Sequence, residues 1–163
     1  MKYLVVDDEM MSREYLSENL QEASPESLIF MAANADDAFD LVQTEDFDVA
    51  FLDIHLGRES GIDLARSIKI LKPRLNIVFT TAYEDYRKEA FEVDASDYLV
   101  KPVSVQSLTH ALDNLRYGDQ NNGYSGHNTS ANKLVVTCFG NFDVTYGGRP
   151  VNFKLQKRII YQI

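Results

Sequence analysis

The stretch that decides the fold is residues 2–8, KYLVVDD, in which a short apolar run ends on two acids. The same pattern recurs three times: VAFL at 49–52 precedes Asp53, NIVF at 76–79 precedes Thr80 and Thr81, and YLV at 98–100 precedes Lys101. If these runs are parallel strands of one sheet, their carboxyl ends meet at one edge. Carboxylates, a hydroxyl and an ammonium gathered there suit a divalent cation and a phosphoryl group.

Strand-like and helix-like segments alternate through residues 1–117. Ile62, Ala65 and Ile68 recur three residues apart, as on one face of a helix, and Leu71 extends that face. Short strands that are apolar on both faces are typical of a parallel sheet covered by helices on both sides. The sequence therefore predicts a doubly wound α/β fold of five β-α units. Strands are predicted at 2–6, 27–32, 49–52, 76–80 and 97–100, and helices at 11–23, 35–45, 61–71, 84–93 and after Ser104.

Composition indicates a packed soluble domain. The chain has 163 residues, of which 45% are hydrophobic and 25% charged, enough for one domain and a fragment. Its single cysteine, Cys138, cannot form an internal disulfide, which fits a reducing compartment. The first apolar run is too short for a signal peptide, and no stretch reaches the ~18 apolar residues of a membrane span. We therefore expect a cytoplasmic protein with no membrane partner.

Charge and composition change near the C-terminus. The net charge is −9, to which residues 133–163 contribute +4, so the remainder carries −13. The acidic body is a poor polyanion binder. The basic tail either permits a polyanion to bind or is simply a solvated surface. Residues 118–132, rich in Asn, Gly and Ser, predict a flexible linker. Residues 133–163 contain a Gly147-Gly148 turn signal, which predicts two or three strands, too few for an independent core.

The clustered acids predict a metal and a nucleophile. Asp7 and Asp8 repel each other, and Asp53 adds to that repulsion unless a cation neutralises the group. Mg²⁺ accepts one or two carboxylates, several waters and a phosphate oxygen, so phosphoryl binding would complete such a site. Asp53 can then attack a phosphoryl group and form an acyl phosphate. Each acid taken alone also fits a polar turn or a helix cap.

Thr81 and Lys101 are the residue types that a phosphoryl group needs as partners. A threonine hydroxyl donates a hydrogen bond without adding charge, and a lysine ammonium is a compact counter-charge. Pro102 permits a cis bond that would orient Lys101. Taken alone, a threonine is an ordinary strand residue and a lysine before a turn is an ordinary surface residue. Their coincidence with the acids at four strand ends favours the phosphoryl site.

Four motifs together resemble the receiver domain of two-component response regulators: LVVDDE at 4–9, FLDIHLGRESGIDLA at 51–65, TAYED at 81–85 and DYLVKP at 97–102. The resemblance covers residues 1–117 and implies a flavodoxin-like sheet of strand order 2-1-3-4-5. It also implies that Asp53 accepts a phosphoryl group from a sensor histidine kinase.

The same resemblance assigns the remaining site residues. Asp8, Asp53 and the backbone carbonyl of His55 would bind Mg²⁺, and Asp7 would be an auxiliary acid. Thr81 and Lys101 would hold phosphoryl oxygens. Tyr98 would be the aromatic switch, turning inward when Thr81 moves and so changing the face formed by the fourth helix, fifth strand and fifth helix. That face is a candidate surface for a homodimer.

The loop after Asp53 departs from many receivers. It reads IHLGRESG without their proline, although Gly61 matches the family's glycine. His55 and Tyr83 stand two residues after Asp53 and Thr81, positions that border the attacking water in the family. Because both side chains are bulky, we expect slow hydrolysis of the phosphoryl group.

The segment CFGNFDVTYGGRPVNF at 138–153 resembles the opening strands of the winged-helix DNA-binding domain of SARP-type transcription regulators. Residues 154–163 add no recognition helix, so we expect a truncated or degenerate effector. DNA would be a partner only through a complete effector domain. The predicted organisation is therefore a receiver at 1–117, a linker at 118–132 and a partial effector at 133–163.

The function predicted from these observations is a Mg²⁺-dependent, phosphoryl-accepting response regulator that controls transcription. It would promote its own phosphorylation and dephosphorylation without being an enzyme on an external substrate. An aspartyl-phosphate phosphohydrolase is one alternative, but such enzymes usually space their two aspartates as D-x-D. A docking module that works without phosphorylation is another, and the complete acid, Thr and Lys set counts against it. No G-x-G-x-x-G or P-loop follows the first strand, which disfavours nucleotide binding.

Overall fold

The computed structural model describes residues 1–83, 85–117, 134–137, 143–146 and 149–150. The chain separates into two compact units, Met1–Asn121 and Asn122–Ile163. The predicted linker 118–132, the Gly147-Gly148 turn and Cys138 lie outside the described residues. Within the described part, no helix is long and apolar enough to cross a membrane.

The first unit alternates strands and helices as the sequence predicts. Its strands are β1 (Lys2–Val6), β2 (Leu28–Ala32), β3 (Val49–Leu52), β4 (His55–Leu56), β5 (Glu59–Ser60), β6 (Asn76–Thr81) and β7 (Asp97–Val100). Its helices are α1 (Met10–Ala23), α2 (Ala35–Thr44), α3 (Gly61–Leu71), α4 (Arg87–Glu92) and α5 (Val105–Asp113).

Five parallel strands form the main sheet in the order β2-β1-β3-β6-β7. Because β4 and β5 form only a small antiparallel hairpin, this is the predicted order 2-1-3-4-5, and the flavodoxin-like α/β fold is confirmed. Val6 pairs with Leu52, and Leu52 pairs with Phe79. Strands β1 and β3 therefore end level, while β6 and β7 run two residues further, to the paired Thr81 and Val100. The residues that follow these strands emerge at one edge of the sheet.

The core lies in two layers because alternate strand residues point to opposite faces. Leu4, Ala50 and Ile77 pack in one layer with residues of α2 and α3. Tyr3 and Phe51 pack in the other layer with residues of α1 and α5. All four residues of β3 are buried, as expected for a central strand covered on both sides.

Side chains cap the helices where the sequence predicts a start. The Asn34 side chain accepts a hydrogen bond from the Asp37 amide at the start of α2. The Ser104 side chain accepts one from the Ser107 amide at the start of α5. Two details differ from prediction. Helix α4 is shorter than the predicted 84–93, and Leu71, the last residue of α3, is 44% exposed.

The described residues of the second unit form short strands, β8 (Leu134–Thr137), β9 (Asp143–Tyr146) and β10 (Arg149–Pro150). They form an antiparallel sheet in the order β10-β9-β8. The predicted β-rich character of this segment is therefore confirmed.

Gly61 tests how tightly α3 packs under the end of β3. A Cβ atom at this position would lie 1.9 Å from the backbone oxygen of Asp53. We therefore expect Gly61→Ala to lower the free energy of unfolding by at least ~2 kcal/mol, measured by urea denaturation. Gly57→Ala is the matched control, because Gly57 has a positive φ of 65° but no such clash, and should cost ~1 kcal/mol. Equal losses in the two variants would contradict the packing argument.

Candidate functional site

Asp7, Asp53 and Lys101 meet at the carboxyl-end edge of the sheet. The Lys101 Nζ donates to Asp7 Oδ2 and to Asp53 Oδ2, each over 2.6 Å. The Asp7 side chain is 1% exposed and that of Asp53 is 11% exposed. The ammonium therefore bridges two carboxylates that are almost wholly removed from water.

Backbone hydrogen bonds set the positions of these side chains. The Asp53 amide donates to the Val6 carbonyl over 2.8 Å, and the Lys101 amide donates to the Thr81 carbonyl over 2.8 Å, so the sheet ladder continues into the site. The Arg13 side chain donates to the Asp7 carbonyl. Each charged group is thus attached to the end of a rigid strand. The Lys101–Pro102 peptide bond is cis, as the sequence permits.

Burial and ion pairing act against each other in this cluster. Burial raises the pKa of the Asp7 carboxyl above its ordinary value of 3.8, although the Lys101 ammonium and the Glu9 amide act in the opposite direction. Burial alone would lower the pKa of Lys101, but hydrogen bonds from its ammonium to Asp53 and Asp7 outweigh that effect and raise it. Burial therefore disfavours the ionised form of Asp7, whereas the two carboxylates favour the charged form of Lys101.

The predicted metal ligands are only partly gathered. Asp8 is exposed, and its Oδ2 lies 3.6 Å from the place of a Cβ on Gly57, in the turn of the β4–β5 hairpin. Across the described residues, no three acids, histidines or cysteines converge as ligands, and Lys101 donates to one oxygen each of Asp7 and Asp53. The donor chemistry fits a hard cation nonetheless, because the neighbouring strand ends supply carboxylate and carbonyl oxygens.

The two threonines at the end of β6 are fully buried and have different surroundings. The Thr81 hydroxyl oxygen accepts a hydrogen bond from the Tyr83 amide over 3.4 Å. The Thr80 hydroxyl has no hydrogen-bond partner in the part of the chain that the structure describes. It lines a groove of about 510 Å³ whose other residues are Met11, Ser12, Tyr15, Leu16, Lys101, Pro102 and Val103.

Three aromatic rings, those of His55, Tyr83 and Tyr86, contact one another in the segments that follow β3 and β6. The rings of His55 and Tyr83 meet edge to face at 4.8 Å, and His55 meets Tyr86 at 5.4 Å. The two bulky residues singled out by the sequence are therefore in contact with each other. Sequence reasoning missed Tyr86, because nothing in the local pattern places a residue before α4 against the start of β4.

Tyr98 is connected to Thr81 through Tyr83. The Tyr98 hydroxyl donates to the Tyr83 carbonyl over 2.5 Å, while the Tyr83 amide donates to Thr81. Burial raises the pKa of the Tyr98 hydroxyl. The Arg87 guanidinium lies 5.1 Å from the Tyr98 ring centre, a contact that the sequence did not reveal. A shift of the β6–α4 loop would therefore change the surroundings of Tyr98.

Comparison with known proteins agrees with this geometry. Residues 3–113 match the response regulator receiver domain family. The chain belongs to that family. Among curated relatives, it is 38% identical over 130 residues to the sensory transduction protein LytR of Staphylococcus haemolyticus, covering 80% of this chain and 51% of that protein. It is 41% identical to LytT of Bacillus subtilis, covering 69% of this chain and 46% of that protein. The chain thus spans about half the length of the curated relatives it matches.

Solved receiver structures resemble the first unit closely. The response regulatory domain of mrkE from Klebsiella pneumoniae aligns with a TM-score of 0.64 and 31% identity, covering 71% of this chain and 94% of that chain. The response regulator TrrA from Thermotoga maritima, in complex with Mg²⁺-BeF, aligns with a TM-score of 0.62 and 32% identity, covering 69% of this chain and 96% of that chain. The matched residues are therefore a receiver domain, which is a signalling domain.

The raised pKa of Asp7 gives a pH-dependent prediction. Between 3.8 and the folded-state pKa, the folded receiver binds more protons than the unfolded chain, so its stability falls as the pH rises through that window. Because asparagine cannot ionise, the stability of Asp7→Asn relative to the wild type should increase from about pH 3.5 to about pH 7. Urea denaturation of both proteins at each pH, without divalent cations, measures this change.

Asp113→Asn, at an exposed position in α5, is the matched control for this comparison. Its stability relative to the wild type should change less between the two pH values. If Asp7→Asn instead loses relative stability as the pH rises, the attraction of Lys101 outweighs the burial of Asp7.

Proposed function

We propose that this receiver domain accepts a phosphoryl group on Asp53 from the phosphohistidine of a sensor histidine kinase. The observation that carries the proposal is the Lys101 ammonium held 2.6 Å from Asp53 Oδ2 at the end of a buried strand. A carboxylate that already has a fixed cation beside it can receive a second anion with less repulsion. The groove along α1 leaves an approach to Lys101 for a partner surface.

The transfer uses the residues in unequal roles. An Asp53 carboxylate oxygen attacks phosphorus, the phosphorus–nitrogen bond to the kinase histidine breaks, and the histidine keeps the electron pair and takes up a proton. Lys101 stays within reach of a phosphoryl oxygen, and the Thr81 hydroxyl donates to another after leaving the Tyr83 amide. Asp8, Asp53 and the His55 carbonyl would hold Mg²⁺, with Asp7 as an auxiliary acid, and the ion would neutralise the charge that builds up there.

The switch proposal rests on the contacts of Tyr83. A Thr81 side chain that turns to a phosphoryl group would release the Tyr83 amide. The Tyr83 carbonyl accepts a hydrogen bond from the Tyr98 hydroxyl, so the change at Tyr83 would reach Tyr98. Two arrangements of Tyr98 would then differ in population between the two forms of the receiver. We propose that this difference changes the α4, β7 and α5 face, which would support a homodimer.

The output of the protein is proposed as control of transcription in the cytoplasm. The resemblance of residues 138–153 to SARP-type regulators supports a DNA-binding effector that begins in the second unit. A competing effector is of the kind found in the LytR relatives, since the transcriptional regulatory protein LytR of Staphylococcus aureus aligns over 143 residues, beyond a receiver of 1–117. In both cases DNA is bound only by a complete effector domain, and residues 118–132 would be the linker to it.

Phosphorylation of Asp53 is tested with acetyl phosphate, Mg²⁺ and intact mass measurement. We expect one phosphoryl adduct on the wild-type chain and none on Asp53→Asn, because an amide is a poor nucleophile for this transfer. Asp113→Asn, an exposed carboxylate on α5, is the matched control and should keep the adduct. The adduct should also disappear when Mg²⁺ is removed with a chelator.

Other results would favour other functions. Rapid turnover of acetyl phosphate without an adduct would indicate a phosphohydrolase. No adduct and no turnover would leave a docking module that works without phosphorylation.

The lifetime of the adduct tests the role of the aromatic rings. His55 and Tyr83 in contact restrict the approach of water to the phosphoryl group, so slow self-dephosphorylation is expected. His55→Ala combined with Tyr83→Ala should raise the hydrolysis rate about tenfold, which corresponds to ~1.4 kcal/mol in the barrier. Phe91→Ala, an exposed aromatic of α4, is the control and should leave the rate unchanged. A wild-type half-life of seconds would be inconsistent with the shielding.

A further inference from the structure

Asn76, the first residue of β6, is buried to 2% exposure at the edge of the sheet opposite Asp53. Its amide nitrogen donates to the Asp48 carbonyl over 3.0 Å and to the Tyr117 carbonyl over 2.8 Å. Its amide oxygen accepts from the Ser96 hydroxyl over 2.9 Å and from the Tyr117 amide over 3.0 Å. Both donors and both acceptor positions of this side chain are therefore used.

Two of these four bonds go to the backbone of one residue, Tyr117. An asparagine amide that pairs with both the N–H and the C=O of a residue imitates the pairing of a neighbouring strand. Tyr117 lies beyond the end of α5, after the last helix of the receiver. The side chain of Asn76 thus holds a segment that belongs to no helix or strand.

Charged side chains hold the same segment from outside. The Lys69 Nζ lies 5.1 Å from the centre of the Tyr117 ring, and the Arg74 guanidinium lies 5.8 Å from it. The neighbouring residue Arg116 pairs with Asp94 over 3.1 Å. Residues of α3, the α3–β6 loop and the α4–β7 loop therefore converge on two consecutive residues.

We propose that Asn76, Lys69 and Arg74 form an intramolecular docking site that latches the chain at Tyr117 as it leaves the receiver. The latch recognises backbone through Asn76 and an aromatic ring through the two cations. It fixes the departure point of the polypeptide at the edge of the sheet opposite Asp53. Whatever follows residue 117 is then attached to β6, the strand that carries Thr81 at its other end.

The latch depends on the amide group of Asn76 rather than on its size. An aspartate has nearly the same shape, but its carboxylate cannot donate and would face the carbonyl oxygens of Asp48 and Tyr117. Asn76→Asp should therefore release Tyr117. Tyr117→Ala keeps the backbone bonds and loses only the ring contacts, so it should loosen the latch less.

Amide hydrogen exchange of the full chain, followed residue by residue by NMR, tests the latch. In the wild type the Tyr117 amide should be protected. Asn76→Asp should speed its exchange by about ten- to a hundredfold, because the buried Tyr117 carbonyl loses its donor and faces a carboxylate oxygen instead. Ser24→Ala, whose hydroxyl contacts Tyr3 and not Asn76, is the control and should leave Tyr117 unchanged. Amides of β3 report in each variant whether the sheet remains folded.

If Asn76→Asp does not fold, Tyr117→Pro provides the second test, because it removes the amide donor outside the sheet. The Asn76 side-chain amide protons should then exchange faster than in the wild type while the β3 amides stay protected. An unprotected Tyr117 amide in the wild type would overturn the proposal. So would protection that survives Asn76→Asp, or a larger effect of Tyr117→Ala than of Asn76→Asp.

Discussion

The contact on which the site depends is the Lys101 ammonium between the carboxylates of Asp7 and Asp53. Two acids this deeply buried repel each other and lose their hydration, and only a fixed cation makes the arrangement tolerable without a metal. Lys101 can reach both because it follows β7 at the same edge of the sheet where β1 and β3 end. The fold therefore places opposite charges where neither alone would be stable.

The same constraint explains the rigidity around the site. Asp53 leaves β3 directly above Gly61, which has no room for a side chain, and its amide continues the ladder to Val6. The acids are thus fixed by backbone, whereas the Thr81 and Tyr98 hydroxyls are connected to each other through hydrogen bonds to the backbone of Tyr83. This combination suits the proposed two-state switch, in which the fixed charges would hold the phosphoryl group while the hydroxyls would respond to it.

Strand β6 connects the two ends of the receiver. It begins with Asn76, whose amide holds Tyr117, and it ends with the two threonines beside the acid cluster. Periodicity predicted this strand to within one residue, but it could not assign Asn76 a role. A polar residue at a strand start usually meets water, and only the fold shows that the chain after α5 returns to cover it.

The sequence by itself determined the fold class and, through family resemblance, the strand order. It also identified Asp7, Asp53 and Lys101, which meet at the carboxyl-end edge of the sheet. It could do so because apolar periodicity and strand-end residues are local signals in the chain. Only the tertiary structure decided which groups touch: Lys101 with both acids, His55 with Tyr83 and Tyr86, and Asn76 with Tyr117. These contacts join residues from different elements, so their distances depend on how strands and loops pack, which no local pattern encodes.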